Sequence, residues 1–235
     1  MFVVSEFDID FRVLVHTPNL GSLISDVILR DNQSMSTKQK IVKKKVKRQS
    51  GCPPLRFDDH PESHAEIVRH YKKFFQAGAD SESQHYAELG SFDEALADAA
   101  YAKAADGKRH PHQYRLQRAN LQKVHQRLKQ YDLESCETFH ELFVMVHEAI
   151  ASISGIGELM VYDTAHRLGA YLQLKPEYVY LHAGVRVGAT ALGYKPSTKW
   201  IEPTSLPKPF QKLTAGEMED CLCIYKHALH AIADQ

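Results

Sequence analysis

Three segments of the chain carry the same signal for the start of a helix, a Ser or Thr followed three residues later by Glu. The segments begin at Ser91, Thr138 and Thr214. In such a capping box, the two side chains accept hydrogen bonds from backbone N–H groups that the first turn of a helix leaves without partners. Apolar residues at intervals of three and four follow, so the chain is constrained to helices that bury one face.

Two of these segments show the apolar face most clearly. After Thr138 come Phe139, Leu142, Phe143, Val146, Ile150 and Ile153, and after Thr214 come Met218, Cys221, Leu222, Tyr225, Leu229 and Ile232. Both sets repeat with the helical period, so we expect them to face the core.

Further helices are indicated by proline starts and glycine ends. Pro61 begins a helix that is expected to end at Gly78, with an inward stripe of Ile67, Val68, Tyr71, Phe74 and Phe75. The others are predicted from Ser91 to Gly107, from about His112 to Gln130, and from Pro176 to Leu192. Strand alternation is convincing only at Phe11–Val15, and the proline-rich residues 196–209 are interpreted as an irregular connection. The predicted fold class is all-α, a single multi-helix domain of seven helices.

The domain is predicted to cover residues 55–235, behind an N-terminal segment at residues 1–54. Residues 1–34 differ in character from the remainder and are interpreted as an appended segment. The run Lys38–Arg48 has seven basic residues and no acidic one, which indicates either a solvated linker or a phosphate-binding arm. An apolar share of 43% is ordinary for one globular domain, and the net charge of zero excludes a uniformly basic surface.

The chain has no pattern typical of export or membrane insertion. Its four cysteines are too few and too irregularly spaced for a disulfide framework or a CxxC zinc site, which favours a reducing compartment. No run of about 18 apolar residues occurs, and the N-terminus lacks the layout of a signal peptide. We therefore expect a cytoplasmic protein with no membrane partner.

A two-glycine segment carries the main functional signal. Ile150 and Ile153 lead into Gly155-Ile156-Gly157, where a helix stops, turns and restarts at Glu158. The glycines permit a tight turn and let backbone N–H groups approach a phosphate, while Ile156 anchors the turn. This pattern resembles the helix-hairpin-helix motif of DNA-repair proteins and places it at about residues 139–172; a glycine corner that only packs is the alternative.

The resemblance extends, over about residues 150–193, to the helix-hairpin-helix DNA glycosylases. It implies DNA as partner, through its phosphate backbone and a flipped base. The chain departs from that family, because Leu159 stands where some members carry a catalytic Lys, and residues 176–182 offer no Asp where the catalytic one is expected. The longer stretch from GIGEL to VYLHAG is similar to a group of uncharacterised bacterial and phage-associated proteins.

Candidate catalytic residues lie just after the corner. Asp163 shares a helix face with His166 and Arg167, and a carboxylate there would stabilise the positive charge that develops on a sugar during glycosidic cleavage. A surface pair between Asp163 and Arg167 is the alternative. The further candidates are Glu158, Tyr180 and His182.

A loop at Gly107–Arg115 is a second candidate contact with DNA, or else a solvated loop. Side chains that are expected to touch DNA, besides the corner residues Gly155, Ile156 and Gly157, are Lys108, Arg109, His110, His112, Gln113, Arg115, Arg167 and Arg186. The chain has 14 histidines, so chance neighbours are frequent, and HExxH is absent. No metal and no cofactor is assigned.

The leading functional hypothesis is a DNA-binding protein of the helix-hairpin-helix type, acting as a monofunctional DNA glycosylase on damaged or modified bases, including those of phage DNA. This would place it in base-excision repair or antiviral defence. The alternatives are a non-catalytic nucleic-acid binder and a helical interaction protein that binds no nucleic acid. Salt distinguishes them, because only phosphate binding weakens steeply with ionic strength.

Overall fold

The computed structural model describes residues 61–235. The described residues form nine α-helices and one two-stranded antiparallel sheet: α1 His64–Phe74, α2 Gln76–Ala87, α3 Phe92–Ala100, α4 Arg118–Leu128, α5 Phe139–Ile150, α6 Glu158–Leu172, β1 Val179–Tyr180, α7 Ala183–Ala191, β2 Trp200–Ile201, α8 Ala215–Ile224 and α9 Lys226–Ala233. The predicted all-α class is confirmed for this part of the chain. The basic run Lys38–Arg48, the predicted strand Phe11–Val15 and residues 1–34 lie outside it.

Side-chain caps begin α3, α5 and α8 where the sequence predicted them, whereas α1 begins at His64 and not at Pro61 as predicted. Thr138 and Thr214 form complete capping boxes at the starts of α5 and α8. Ser91 caps α3 by accepting a hydrogen bond from the Glu94 amide, while Ser63 caps α1 in the same way. Since each cap is made within four residues of sequence, it could be predicted without knowledge of the tertiary structure.

The prediction of the first helix is wrong at its C-terminal end. Gly78 lies inside α2, and the chain breaks earlier, at Phe75, where φ is −122°. Phe74, predicted to face inward, is 45% exposed. The last predicted helix is broken in the same manner at Tyr225, between α8 and α9. The rings of Phe75 and Tyr225 meet edge-on, with 6.1 Å between their centroids.

Two other predicted helices begin too early. Residues 112–117 form turns, so α4 begins only at Arg118. After Pro176, the chain forms β1 where a helix was expected, and Val179 and Tyr180 pair with Ile201 and Trp200 of β2. Both strands consist of β-branched and aromatic residues, and their partners are distant in sequence. The interpretation of residues 196–209 as wholly irregular is wrong for the same reason, since β2 lies within them.

Buried apolar side chains form two clusters. The first is built mainly from α3, α4, α5 and α6, with Leu121, Phe139, Leu142 and Ile150 among its fully buried members. The second joins α1, α7, α8 and α9 around Tyr71, Phe210, Leu222 and Tyr225. No helix within residues 61–235 combines the length and apolar character needed to cross a membrane.

Helices α7 and α8 approach each other closely at Gly188. A Cβ atom at Gly188 would lie 2.1 Å from the carbonyl oxygen of Leu222, which is main chain and cannot rotate away. Only the absence of a side chain permits this approach.

We predict that Gly188→Ala lowers the free energy of unfolding by about 1–3 kcal/mol, because the two helices must separate to admit the methyl group. Gly78→Ala is the matched control, because nothing lies within 4 Å of its Cβ position in α2. Its replacement is expected to raise stability by about 0.5–1 kcal/mol. Urea unfolding of both variants measures these changes, and equal effects of the same sign would contradict the close packing at Gly188.

Candidate functional site

A turn of two glycines joins α5 to α6. Gly155 has φ of +84°, which strains any residue with a side chain, and a Cβ there would lie 2.9 Å from the amide nitrogen of Asn120. Gly157 is extended, with φ −101° and ψ 172°, and caps α6. Between them Ile156 is only 9% exposed and packs into the first cluster. We call residues 151–157 the corner.

The corner presents unused hydrogen-bond donors to solvent. Within the described residues, no hydrogen bond takes up the backbone N–H groups of Gly155, Gly157, Glu158 and Leu159. Gly155, Gly157 and Glu158 are exposed. The N-terminus of α6 adds the positive end of its helix dipole at the same place, so the corner is suited to an anion.

A groove beside the corner is basic. Its volume is about 390 Å³, and it is lined by Lys123, Gln126, Arg127, Gln130, Ser152, Ile153 and Ser154. Lys123 and Arg127 are exposed and lie one turn apart on the outer face of α4. Asn120 ties the same helix to the corner by donating to the Ser154 carbonyl at 2.9 Å. No acidic side chain is among the residues that line the groove, so its charge is positive.

Near the corner, Arg186 of α7 connects the start of α6 to two other segments of the chain. Its guanidinium donates to the carbonyl oxygens of Leu181, Pro196 and Thr198 and pairs with the Glu158 carboxylate at 3.0 Å. These contacts give Arg186 a structural role in place of the DNA contact expected from sequence. They also neutralise Glu158, which was a catalytic candidate and is exposed next to the open amides.

A second group of polar side chains lies further along α6. Arg167 is only 3% exposed; its Nε donates to Glu82 at 3.1 Å, and its Nη2 lies 3.8 Å from the Asp163 carboxylate. Gln113 hydrogen-bonds to Asp163 as well. The predicted pair between Asp163 and Arg167 therefore exists, but it is buried, and Arg167 is not available as a phosphate contact.

The loop that precedes α4 brings two histidines to this group. His110 contacts Glu82 through Nε2 at 3.2 Å, and ligand atoms of His110, His112 and Asp163 all lie within 4.8 Å of one another. We call these three residues together with Glu82, Gln113 and Arg167 the polar cluster. The sequence predicted all of its members except Glu82 as site residues, but did not predict that they meet.

Burial and charge together set the protonation states in the polar cluster. Burial alone would raise the pKa of Glu82, but the hydrogen bond from His110 and the charge of Arg167 outweigh it and lower this pKa to about 2. Burial lowers the pKa of His112, and Asp163 opposes that shift only in part. At neutral pH Glu82 is therefore ionised and His112 carries no charge.

The remaining predicted site residues are placed apart from the polar cluster. Tyr180 is 2% exposed and its hydroxyl lies 3.0 Å from Nδ1 of His140, while His182 is 4% exposed and hydrogen-bonds to Glu219. Both side chains are therefore buried, and their catalytic role stays a prediction.

The basic side chains of the loop serve different purposes. Arg109 donates to the carbonyl of Leu116 at 2.7 Å, which shapes the loop. Lys108 is exposed beside Asp106, and Arg115 lies over the exposed ring of Tyr114. Lys108 and Arg115 are therefore accessible, and their contact with DNA stays a prediction.

Sequence reasoning missed Lys123 and Arg127. Their i, i+4 spacing on a helix whose other face carries Leu121, Val124 and Leu128 places them outward, which the sequence alone indicates. Their position beside the corner depends on the packing of α4 against α5 and was not foreseeable.

Comparison of the chain with protein-family models, with curated proteins and with solved structures finds no match. Function is therefore inferred from the geometry of the corner and of the polar cluster.

We predict that ionisation of Glu82 makes the free energy of unfolding depend on pH. The pKa of Glu82 is lower in the folded state than its ordinary value of 4.5, so the ionised carboxylate stabilises the fold at pH values above 4.5. This contribution is lost as the pH falls towards 2. Glu82→Gln should cost about 1–3 kcal/mol at pH 7, since the buried Arg167 loses a carboxylate. The difference between wild type and variant should shrink between pH 4.5 and pH 2 in urea unfolding.

Glu148→Gln, which replaces an exposed carboxylate on α5, is the control and should leave both stability and its pH dependence nearly unchanged. A constant difference between wild type and Glu82→Gln across this range would contradict the ionised pair.

Proposed function

We propose that α5, the corner and α6 form a helix-hairpin-helix that binds the phosphate backbone of DNA. The observation that supports this most strongly is the exposed corner itself, with its unused amide hydrogens and its buried Ile156 anchor. These features match the roles that the motif requires of Gly155, Ile156 and Gly157.

The adjoining groove favours a polymer over a small anion. Lys123 and Arg127 lie beside Ser152 and Ser154 of the corner, so the cationic side chains adjoin the segment that carries the open amides. Phosphates repeat along a nucleic-acid strand, and a strand can place one at the amides and another at the basic side chains. A single phosphate ion could use only one of these positions.

The exposed apolar side chains argue against a protein interface at this surface. Within residues 61–235 the large ones are Phe74, Tyr114, Val144, Val187 and Trp200. None belongs to the corner or lines the groove, and a protein interface of good affinity usually centres on apolar or aromatic side chains.

Neutralising the groove should change the salt dependence of binding. We predict that the double variant Lys123→Gln/Arg127→Gln binds a fluorescein-labelled 20-base-pair duplex more weakly and lowers the slope of log K against log [salt] by about 1.8, since about 0.9 is lost for each phosphate contact. Fluorescence anisotropy at several salt concentrations measures this slope.

The control is Lys72→Gln/Lys73→Gln, which removes two exposed charges from α1, a helix of the second cluster. It removes the same net charge away from the groove, so its slope should stay near that of the wild type. Equal slopes for the two double variants would remove the groove from the interface.

Gly157→Ala tests the corner within the same assay. Nothing lies within 4 Å of its Cβ position, so the fold admits the methyl group, but that group stands where a phosphate must approach the amides. Loss of one hydrogen bond to a charged group corresponds to roughly a tenfold weaker affinity. Gly78→Ala adds an equally unhindered methyl group elsewhere and should leave affinity unchanged.

Base excision is the second candidate function. The observation in its favour is the position of Asp163, six residues after Gly157 and therefore about 9 Å along α6 from the corner, next to the loop that carries Lys108 and Arg115. A base flipped from a duplex held at the corner would have to reach this region. The carboxylate would stabilise the positive charge of the sugar as the glycosidic bond breaks.

We predict that the full chain releases bases from modified or damaged DNA, including natural phage DNA, and leaves abasic sites. Asp163→Asn should abolish this release while the anisotropy assay still shows binding. The product is measured by an aldehyde-reactive probe. Undiminished release by the variant would exclude Asp163 from the chemistry, and absence of release by the wild type leaves binding as the sole function.

A further inference from the structure

The polar cluster brings together three side chains whose chemistry is that of metal ligands. His110 and His112 come from the loop before α4, Asp163 comes from α6, and one ligand atom of each lies within 4.8 Å of the others. Residues that are far apart in sequence thus converge on one point. The proline between the two histidines limits the conformations that the loop can adopt there.

We propose that His110, His112 and Asp163 bind one divalent transition-metal ion of the zinc, cobalt or iron(II) type. Two imidazoles and one carboxylate form a donor set that such ions use in proteins, with the remaining positions left for water or substrate. At metal–ligand distances of about 2.1 Å, tetrahedral ligand atoms lie roughly 3.4 Å apart. Metal binding would therefore draw the three side chains together from the spacing of up to 4.8 Å observed here.

The surroundings of His110 fit a ligand role. Its Nε2 faces the Glu82 carboxylate at 3.2 Å, and with the proton on Nε2 the Nδ1 lone pair faces the backbone N–H of His112 at 3.4 Å, a long contact that a metal ion would replace. A carboxylate behind a histidine is the usual outer contact of a metal-bound imidazole, because it fixes the tautomer and raises the basicity of the ring.

His112 supplies an independent observation. Its ring is half-buried and makes no hydrogen bond to any residue within 61–235. Its neighbours are the ring of His110, whose centroid lies 4.8 Å away, and the Asp163 carboxylate. A half-buried imidazole without a hydrogen bond to these residues has a ring nitrogen that is available to a metal ion.

The charges of the polar cluster also favour a cation. Glu82 and Asp163 contribute two negative charges, whereas Arg167 contributes one positive charge that is shared between both carboxylates. Leaving the histidines aside, the cluster carries one excess negative charge in a largely buried region. A bound divalent ion would compensate it, and Arg167 on the far side of Asp163 would orient the carboxylate.

This proposal does not depend on DNA binding at the corner, and its test contains no nucleic acid. It does compete with excision by a free Asp163 carboxylate, since the same side chain would be a ligand. The proposal of metal binding and the proposal of DNA binding can therefore be confirmed or contradicted independently.

The test uses the full chain, stripped with chelator and titrated with Zn²⁺ by calorimetry and with Co²⁺ by visible absorption. We expect one tight ion per chain, cobalt bands of a nitrogen- and oxygen-ligated site, and a higher Tm with Zn²⁺. The variant His110→Ala/His112→Ala should bind at least about 100-fold more weakly and lose both the bands and the Tm shift.

His227→Ala/His230→Ala is the matched control, since it removes two histidines of similar spacing from α9 and should retain the tight site. Asp163→Asn is a second variant, which keeps the shape of the side chain and should weaken Zn²⁺ binding while circular dichroism shows the fold intact. Equal affinity of wild type and His110→Ala/His112→Ala, or loss of the tight site in the control, would overturn the proposal.

Discussion

Burial of the Arg167 guanidinium is the interaction on which the region around α6 depends. A charge that is 3% exposed must be matched inside the protein, and the match comes from Glu82 on α2, Asp163 on its own helix and Gln113 in the loop before α4. Two separate segments, α2 and the loop before α4, are thus held to α6 by a single side chain. The charge of Arg167 also adds to the hydrogen bond from His110 in lowering the pKa of Glu82.

The sequence predicted the features of the fold that are decided locally. The capping boxes at Thr138 and Thr214 and the restart of the chain at Glu158 required only neighbouring residues, and the structure has all three. The prediction failed where distant residues decide the conformation. Val179 and Tyr180 become a strand because Ile201 and Trp200 pair with them, which overrides the helical signal of the proline before them.

The candidate site shows the same division. The glycines of the corner and the inward Ile156 could be predicted because a tight turn restricts the residue types that it accepts. The basic groove could not, since Lys123 and Arg127 belong to a helix that reaches the corner only through packing. Sequence also treated Asp163 and the two histidines as separate candidates, and only the fold shows that they share one place.

The breaks between α1 and α2 and between α8 and α9 are joined by aromatic contacts, Phe75 with Tyr225 and His70 with Tyr225. Because the rings of Phe75 and Tyr225 rest on each other, the first and last helical pairs of the described chain bend at the same point in space. Straightening one bend would separate the two rings and remove one of the contacts that hold the other bend. Each bend is therefore supported in part by a residue from the opposite end of the described chain.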